Sequence, residues 1–141
     1  MKKLFLLAII AFSLASCDKE TLLPQGEIPA EISDYLNTHF PDAALIQALK
    51  DQDELELTYD IALEGGFFLE FNRKKEIIDI DGSAQIPNSV IPEKILVYVQ
   101  ANYPSNFIKG WELDGRNQEI ALDNGIDLDF TMEGDFLKID N

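Results

Sequence analysis

Cysteine is nearly absent from the 141-residue chain, which holds one, Cys17. A monomer with a single thiol has no internal disulfide, so its fold rests on a packed core and not on covalent staples. Histidine is as scarce. His39 stands alone, which excludes a metal site built from several imidazoles. Basic residues are few, 11 Lys and Arg against 26 Asp and Glu, for a formal net charge of −15. So acidic a chain repels phosphate backbones, and nucleic-acid binding is disfavoured. Catalytic motifs are also missing. Ser33, Ser83, Ser89 and Ser105 lie in no nucleophile motif. Carboxylates are too numerous for any pair to stand out as a glycosidase couple. We expect no enzyme, no cofactor and no dedicated metal site.

No apolar run reaches the ~20 residues of a membrane-spanning helix. The longest, Leu4 to Leu14, follows Lys2 and Lys3 and leads into Leu14-Ala15-Ser16-Cys17. A positive start, a short apolar stretch and small residues before a cleavage point make a signal peptide. The last four residues resemble the lipobox of bacterial lipoproteins. That resemblance implies removal of residues 1–16, lipid attachment at Cys17 and a place in the cell envelope, on the outer membrane or facing the periplasm or the surface. The processed chain keeps 9 basic and 26 acidic residues, a net of −17. Two or more acyl chains suffice for stable anchoring. Residues 17–27 contain Pro24 and Gly26, show no periodicity and read as a flexible tether. Ten such residues span about 16–19 Å r.m.s..

The rest of the chain repeats itself. Ile28-Pro29 with Ile32, Tyr35, Leu36 and Phe40-Pro41 recurs 63 residues later as Ile91-Pro92 with Ile95, Tyr98, Val99 and Tyr103-Pro104. The spacing places one apolar stripe on a helix that a proline opens and a second proline ends. Alternating strands follow. Leu57, Tyr59, Ile61 and Leu63 face one way, and Glu56, Thr58, Asp60 and Glu64 the other. Gly65-Gly66 and Asn124-Gly125 are expected to form two-residue hairpin turns, the second of type I′. Phe67, Leu69 and Phe71 correspond to Ile126, Leu128 and Phe130, now 59 residues apart, and Ile77–Ile80 corresponds to Phe136–Ile139. Repeat one spans 28–81, a linker 82–90, and repeat two 91–140. Fifty residues bury too little surface to stand alone, so the halves should share one core. The expected fold is α+β, two helix-plus-four-strand antiparallel repeats forming one eight-stranded sheet with both helices on one face.

A lipobox, a short tether and two copies of this pattern over residues 28–140 resemble the PepSY-like, beta-lactamase-inhibitor-like lipoproteins. The resemblance implies a tandem module with a curved sheet. It transfers no inhibitory residue, because the matching positions are core positions.

Function is therefore sought on the sheet face away from the helices. The candidate binding surface consists of Trp111, Phe107, Phe68, Glu70, Asp127 and Asp129. In the first strand of each repeat, Ile46 and Ile108 are assigned to the core, so that Leu45, Leu49, Phe107 and Trp111 point outward. Aromatics set among acids suit a protein or peptide partner in the envelope. Inhibition of an envelope hydrolase, a protease or beta-lactamase, is the alternative, followed by cation binding on the acidic face. Asp79–Gly82 and Asp123–Asp127 lack the spacing of a calcium loop.

Overall fold

A computed structural model describes residues 19–140; the signal segment and Cys17 lie outside the described residues. The strands are β1 (Lys19–Leu22), β2 (Leu45–Gln52), β3 (Leu57–Leu63), β4 (Phe67–Phe71), β5 (Ile77–Gly82), β6 (Ile108–Asp114), β7 (Asn117–Leu122), β8 (Asp127–Thr131) and β9 (Phe136–Asp140). Helix α1 (Ala30–His39) precedes β2, and α2 (Glu93–Asn102) precedes β6. Among the described residues these nine strands form one antiparallel meander in chain order.

Pro29 and Pro92 sit at the helix N-caps. The Pro29 carbonyl accepts from the Ile32 and Ser33 amides, and the Pro92 carbonyl from Ile95 and Leu96. Phe40 and Tyr103, each followed by proline, leave helical geometry at the C-caps. Each helix lays its stripe on the sheet. Tyr35 meets Phe71 edge-on at 5.4 Å between ring centroids, and Tyr98 meets Phe130 at 5.3 Å.

Both helices cover the same face, as the pairing register shows. Ala48, Ile61, Leu69, Ile80, Trp111, Ile120 and Leu128 are successive cross-strand partners from β2 to β8, and all are buried. Directly opposed residues share a face. One apolar row therefore crosses both repeats, and the two halves share a single core.

Two expectations about the first strands are overturned. β-bulges interrupt the pairing between Leu45 and Gln47 and between Ile108 and Gly110, leaving Ile46 and Lys109 as extra residues. A bulge shifts alternation by one, so residues three apart share a face. Leu45 thus joins Ala48 on the core side, and Trp111 joins Ile108. Ile46 is 65% exposed and Trp111 only 9%. The Trp111 indole donates to Gln118 Oε1 at 2.9 Å, and Gln118 Nε2 donates to the Thr131 carbonyl. A second matched pair of bulges leaves Ile78 and Leu137 as extra residues.

The sheet also has nine strands where eight are expected. Lys19–Leu22 pairs with β2, so this part of the expected tether is a strand. It flanks β2 as β5 flanks β6. The turns differ too. Leu63 pairs with Phe67, so three residues connect β3 to β4. At Asp123-Asn124-Gly125 only the glycine has positive φ, +83°, and the Gly125 amide donates to the Leu122 carbonyl. That is a type I turn closed by a left-handed glycine, not type I′. Before the last strand of each repeat the left-handed position is Lys75 (φ +64°) in one and Gly134 (φ +86°) in the other.

A shared core predicts shared unfolding. Phe71 and Phe130 are both fully buried, and truncating either to alanine should cost about 3–5 kcal/mol. In both variants Trp111 fluorescence, which reports repeat two, and far-UV circular dichroism, which reports the whole chain, should follow one coincident denaturation curve. Separate curves would show that the halves fold independently.

Candidate functional site on the open sheet face

Alternation that buries one row must expose the next. On the face away from the helices, Leu22, Leu49, Asp60, Glu70, Asp79, Glu112, Glu119, Asp129 and Lys138 are successive cross-strand partners over all nine strands. Six carboxylates thus stand side by side, and a lysine ends the row. Opposed side chains in such a sheet begin about 4.5–5.5 Å apart. The neighbouring row runs Gln47, Ala62, Phe68, Asp81, Gly110, Ala121, Asp127 and Asp140.

Crowding and partial burial oppose ionisation here. Burial is the larger cause of the upward displacement of the Asp60, Glu70 and Asp79 pKa values, followed by carboxylates next to each, among them Asp51, Asp60 and Glu112 respectively. Glu119 is pushed from 4.5 up to about 7, by burial first and then by Glu112, Asp127, Asp129 and Asp140. One oxygen of Asp51, at the repeat-one end of this face, is buried without a hydrogen-bond partner.

Repeat two neutralises part of its own charge. Lys138 Nζ lies 3.2 Å from Asp129 and 3.1 Å from Asp140. Glu119, Asp129 and Asp140 place carboxylate oxygens within 4.8 Å of one another. Repeat one has the same carboxylates 59 residues earlier, Asp60, Glu70 and Asp81, but Asp79 stands where repeat two has Lys138. Two shallow grooves lie on this face. One of about 310 Å³ is lined by Leu49, Ala62 and Phe68 together with Gln47, Asp60, Glu70 and Asp79. The other, about 300 Å³, is bordered by Asp79, Asp81, Glu112, Glu119 and Asp127.

Of the residues singled out in the sequence, Phe68, Glu70, Asp127 and Asp129 come together on the open face. Phe68 is 56% exposed there. Trp111 is withdrawn into the core. Phe107 lies at the sheet end, where it exchanges hydrogen bonds with Asp123. The Asp123 carboxylate, held below its ordinary pKa by Asn106 and the Phe107 amide, is engaged in fixing that turn. His39 contacts Tyr35 and Ser89, tying α1 to the inter-repeat linker. Sequence reasoning missed Asp79, Glu112 and Lys138. Asp79 alternates with Ile80, a signal that was present. Glu112 was masked by the bulge at Lys109. The arrangement suits electrostatic attraction of cations over a broad surface, and it offers no enclosed acid–base pair.

The raised pKa of Glu119 sets a pH dependence. Its neutral form is favoured in the folded state, so its contribution to stability is complete below about pH 4.5 and is lost as pH rises through about 7. Glu119→Gln should therefore raise Tm at pH 8 by about 1–4 °C and leave it unchanged at pH 4. Thermal unfolding at the two pH values checks this.

Among the described residues no helix is long and apolar enough to cross a membrane. Three solved structures share the fold. A "putative calcium-regulated periplasmic protein" from Bacteroides thetaiotaomicron is 26% identical, with TM-score 0.82 over 86% of this chain and 97% of that one. Two from Bacteroides vulgatus, each described as a "putative periplasmic protein", are 28% and 29% identical, with TM-scores of 0.80 and 0.79. They cover 87% and 88% of this chain and 98% and 99% of their own. Among curated proteins none matches. The family model described as "Putative beta-lactamase-inhibitor-like, PepSY-like" matches residues 15–79 and again 57–138, so the chain belongs to the PepSY-like family.

Proposed function

We propose that the chain is a non-enzymatic lipoprotein of the cell envelope whose open sheet face binds a polypeptide partner bearing positive charge. The observation that carries this is the row of six adjacent carboxylates, five of which have no basic residue opposite them in the register. Such a face attracts cationic surfaces and gains from their arrival, because each partner charge relieves repulsion already present. Family membership and the periplasmic relatives support an envelope location. The lipobox-like segment supports attachment through Cys17, which a single residue separates from β1 in the sequence, so that the domain is held close to the lipid.

A second reading is favoured by one group. Glu119, Asp129 and Asp140 converge closely enough to share a cation, and a calcium ion takes hard oxygen ligands of this kind. The relative from B. thetaiotaomicron is described as calcium-regulated. In this chain Lys138 holds that position, so the ion has to displace its ammonium. Calorimetry with calcium chloride distinguishes the two. Heat that increases in Lys138→Met supports the ion, and no heat in either protein leaves the polypeptide partner.

The main reading is tested by photo-crosslinking in intact cells. A benzophenone amino acid at position 68, on the open face, should capture a polypeptide. The same group at position 97, exposed on the helix layer, should capture none. Cys17→Ser should remove the protein from the membrane fraction. Equal capture from both positions, or none from position 68, would count against an open-face receptor.

A further inference from the structure

The two repeats serve as internal references for each other, and three of their differences on the open face surround one groove. In repeat two, Asp129 and Asp140 surround the Lys138 ammonium, with Glu119 beside them. In repeat one the three carboxylates recur as Asp60, Glu70 and Asp81, and the lysine is replaced by Asp79. The pairing register extends the comparison. Leu49 opposes Asp60 as Glu112 opposes Glu119, so Leu49 stands where repeat two has Glu112. Phe68 stands likewise where repeat two has Asp127. The repeat-one groove of about 310 Å³ therefore has an apolar floor and an acidic rim without a cation.

We infer that this groove receives a lysine side chain of the partner, presented from above the sheet, whose ammonium takes the role that Lys138 plays in repeat two. The inference rests on the reading that the open face binds a cationic polypeptide, and it names where and how. A lysine is an aliphatic stem with a charged head. Leu49, Ala62 and Phe68 match the stem, and the Phe68 ring adds a cation–π contact. Asp60, Glu70 and Asp79 match the head. A bare divalent ion makes no use of Leu49 and Phe68, which is why a side chain fits better. The buried, unpartnered Asp51 oxygen lies toward the same end of the face and adds to its negative potential.

The probe is a fluorescent peptide of alternating lysine and threonine, compared with the same peptide acetylated on every lysine, titrated into the full chain at physiological salt. The wild type should bind the first and not the second. Asp79→Lys provides the ammonium internally and should weaken binding at least about tenfold, Asp79→Asn by about threefold. Asp127→Lys makes the same charge change about three strands away, beyond the Debye length of about 8 Å, and should weaken it less than about threefold. Phe68→Ser should cost about fivefold. Circular dichroism confirms that each variant is folded. Equal weakening by Asp79→Lys and Asp127→Lys would overturn the lysine groove and leave the acidic-face reading standing. No binding by the wild type, or binding unchanged in both variants, would overturn both.

Discussion

The joint between β5 and β6, where Asp79, Ile80 and Asp81 lie opposite Glu112, Trp111 and Gly110, is the pairing on which the rest depends. Each repeat contributes about fifty residues, too few to bury a sufficient core alone. Joining them edge to edge places Ile80 between Leu69 and Trp111, and the apolar row continues without a break. The same register fixes the opposite face. Because side chains alternate, pairing Ile80 with Trp111 also pairs Asp79 with Glu112. The carboxylate row and the apolar row are two consequences of one alignment. The repulsion within the acidic row is tolerated because slipping the register by one residue would expose the core.

Period and punctuation in the sequence reveal most of this architecture. Proline-bounded helices with one apolar stripe, alternating strands such as Leu57–Leu63, and the repeat itself fix the element order and the shared core. The misassigned faces have one physical source. A bulge is a change of register between two strands, and neither Ile46 nor Lys109 carries a local mark of it, since glycine is not required there. Alternation carried past the bulge assigns Trp111 to the wrong face. β1 carries no sequence signal either, for a reason of its own. Lys19, Glu20, Thr21 and Leu22 are all exposed at a sheet edge, so no alternation is imposed on them.

The site was partly legible. Individual acids on the open face, Glu70, Asp127 and Asp129 among them, follow from alternation. That they form one uninterrupted row does not follow, because rows depend on which residue opposes which across four bulges and eight pairings. The exchange of Asp79 for Lys138 is visible in the aligned repeats. It acquires meaning only when Lys138 is seen among the carboxylates.

What separates the repeats bears on what the open face is for. At several buried positions the halves agree, Ile61 with Ile120, Leu69 with Leu128 and Phe71 with Phe130, all nearly or fully buried. Elsewhere in the core Tyr59 stands against Gln118 and Ala48 against Trp111, as partners in one packing problem. On the open face packing makes no such demand, and solubility alone favours charge at every position. Yet three of the divergent positions cluster. Phe68 replaces an acid, Leu49 replaces an acid, and Asp79 replaces a base, all around one groove. An exposed phenylalanine lowers solubility, and an acid added to a row of acids lowers stability. Two changes that each cost the isolated domain, placed together, are accounted for when something outside the chain completes them. An aliphatic, positively charged side chain compensates both at once.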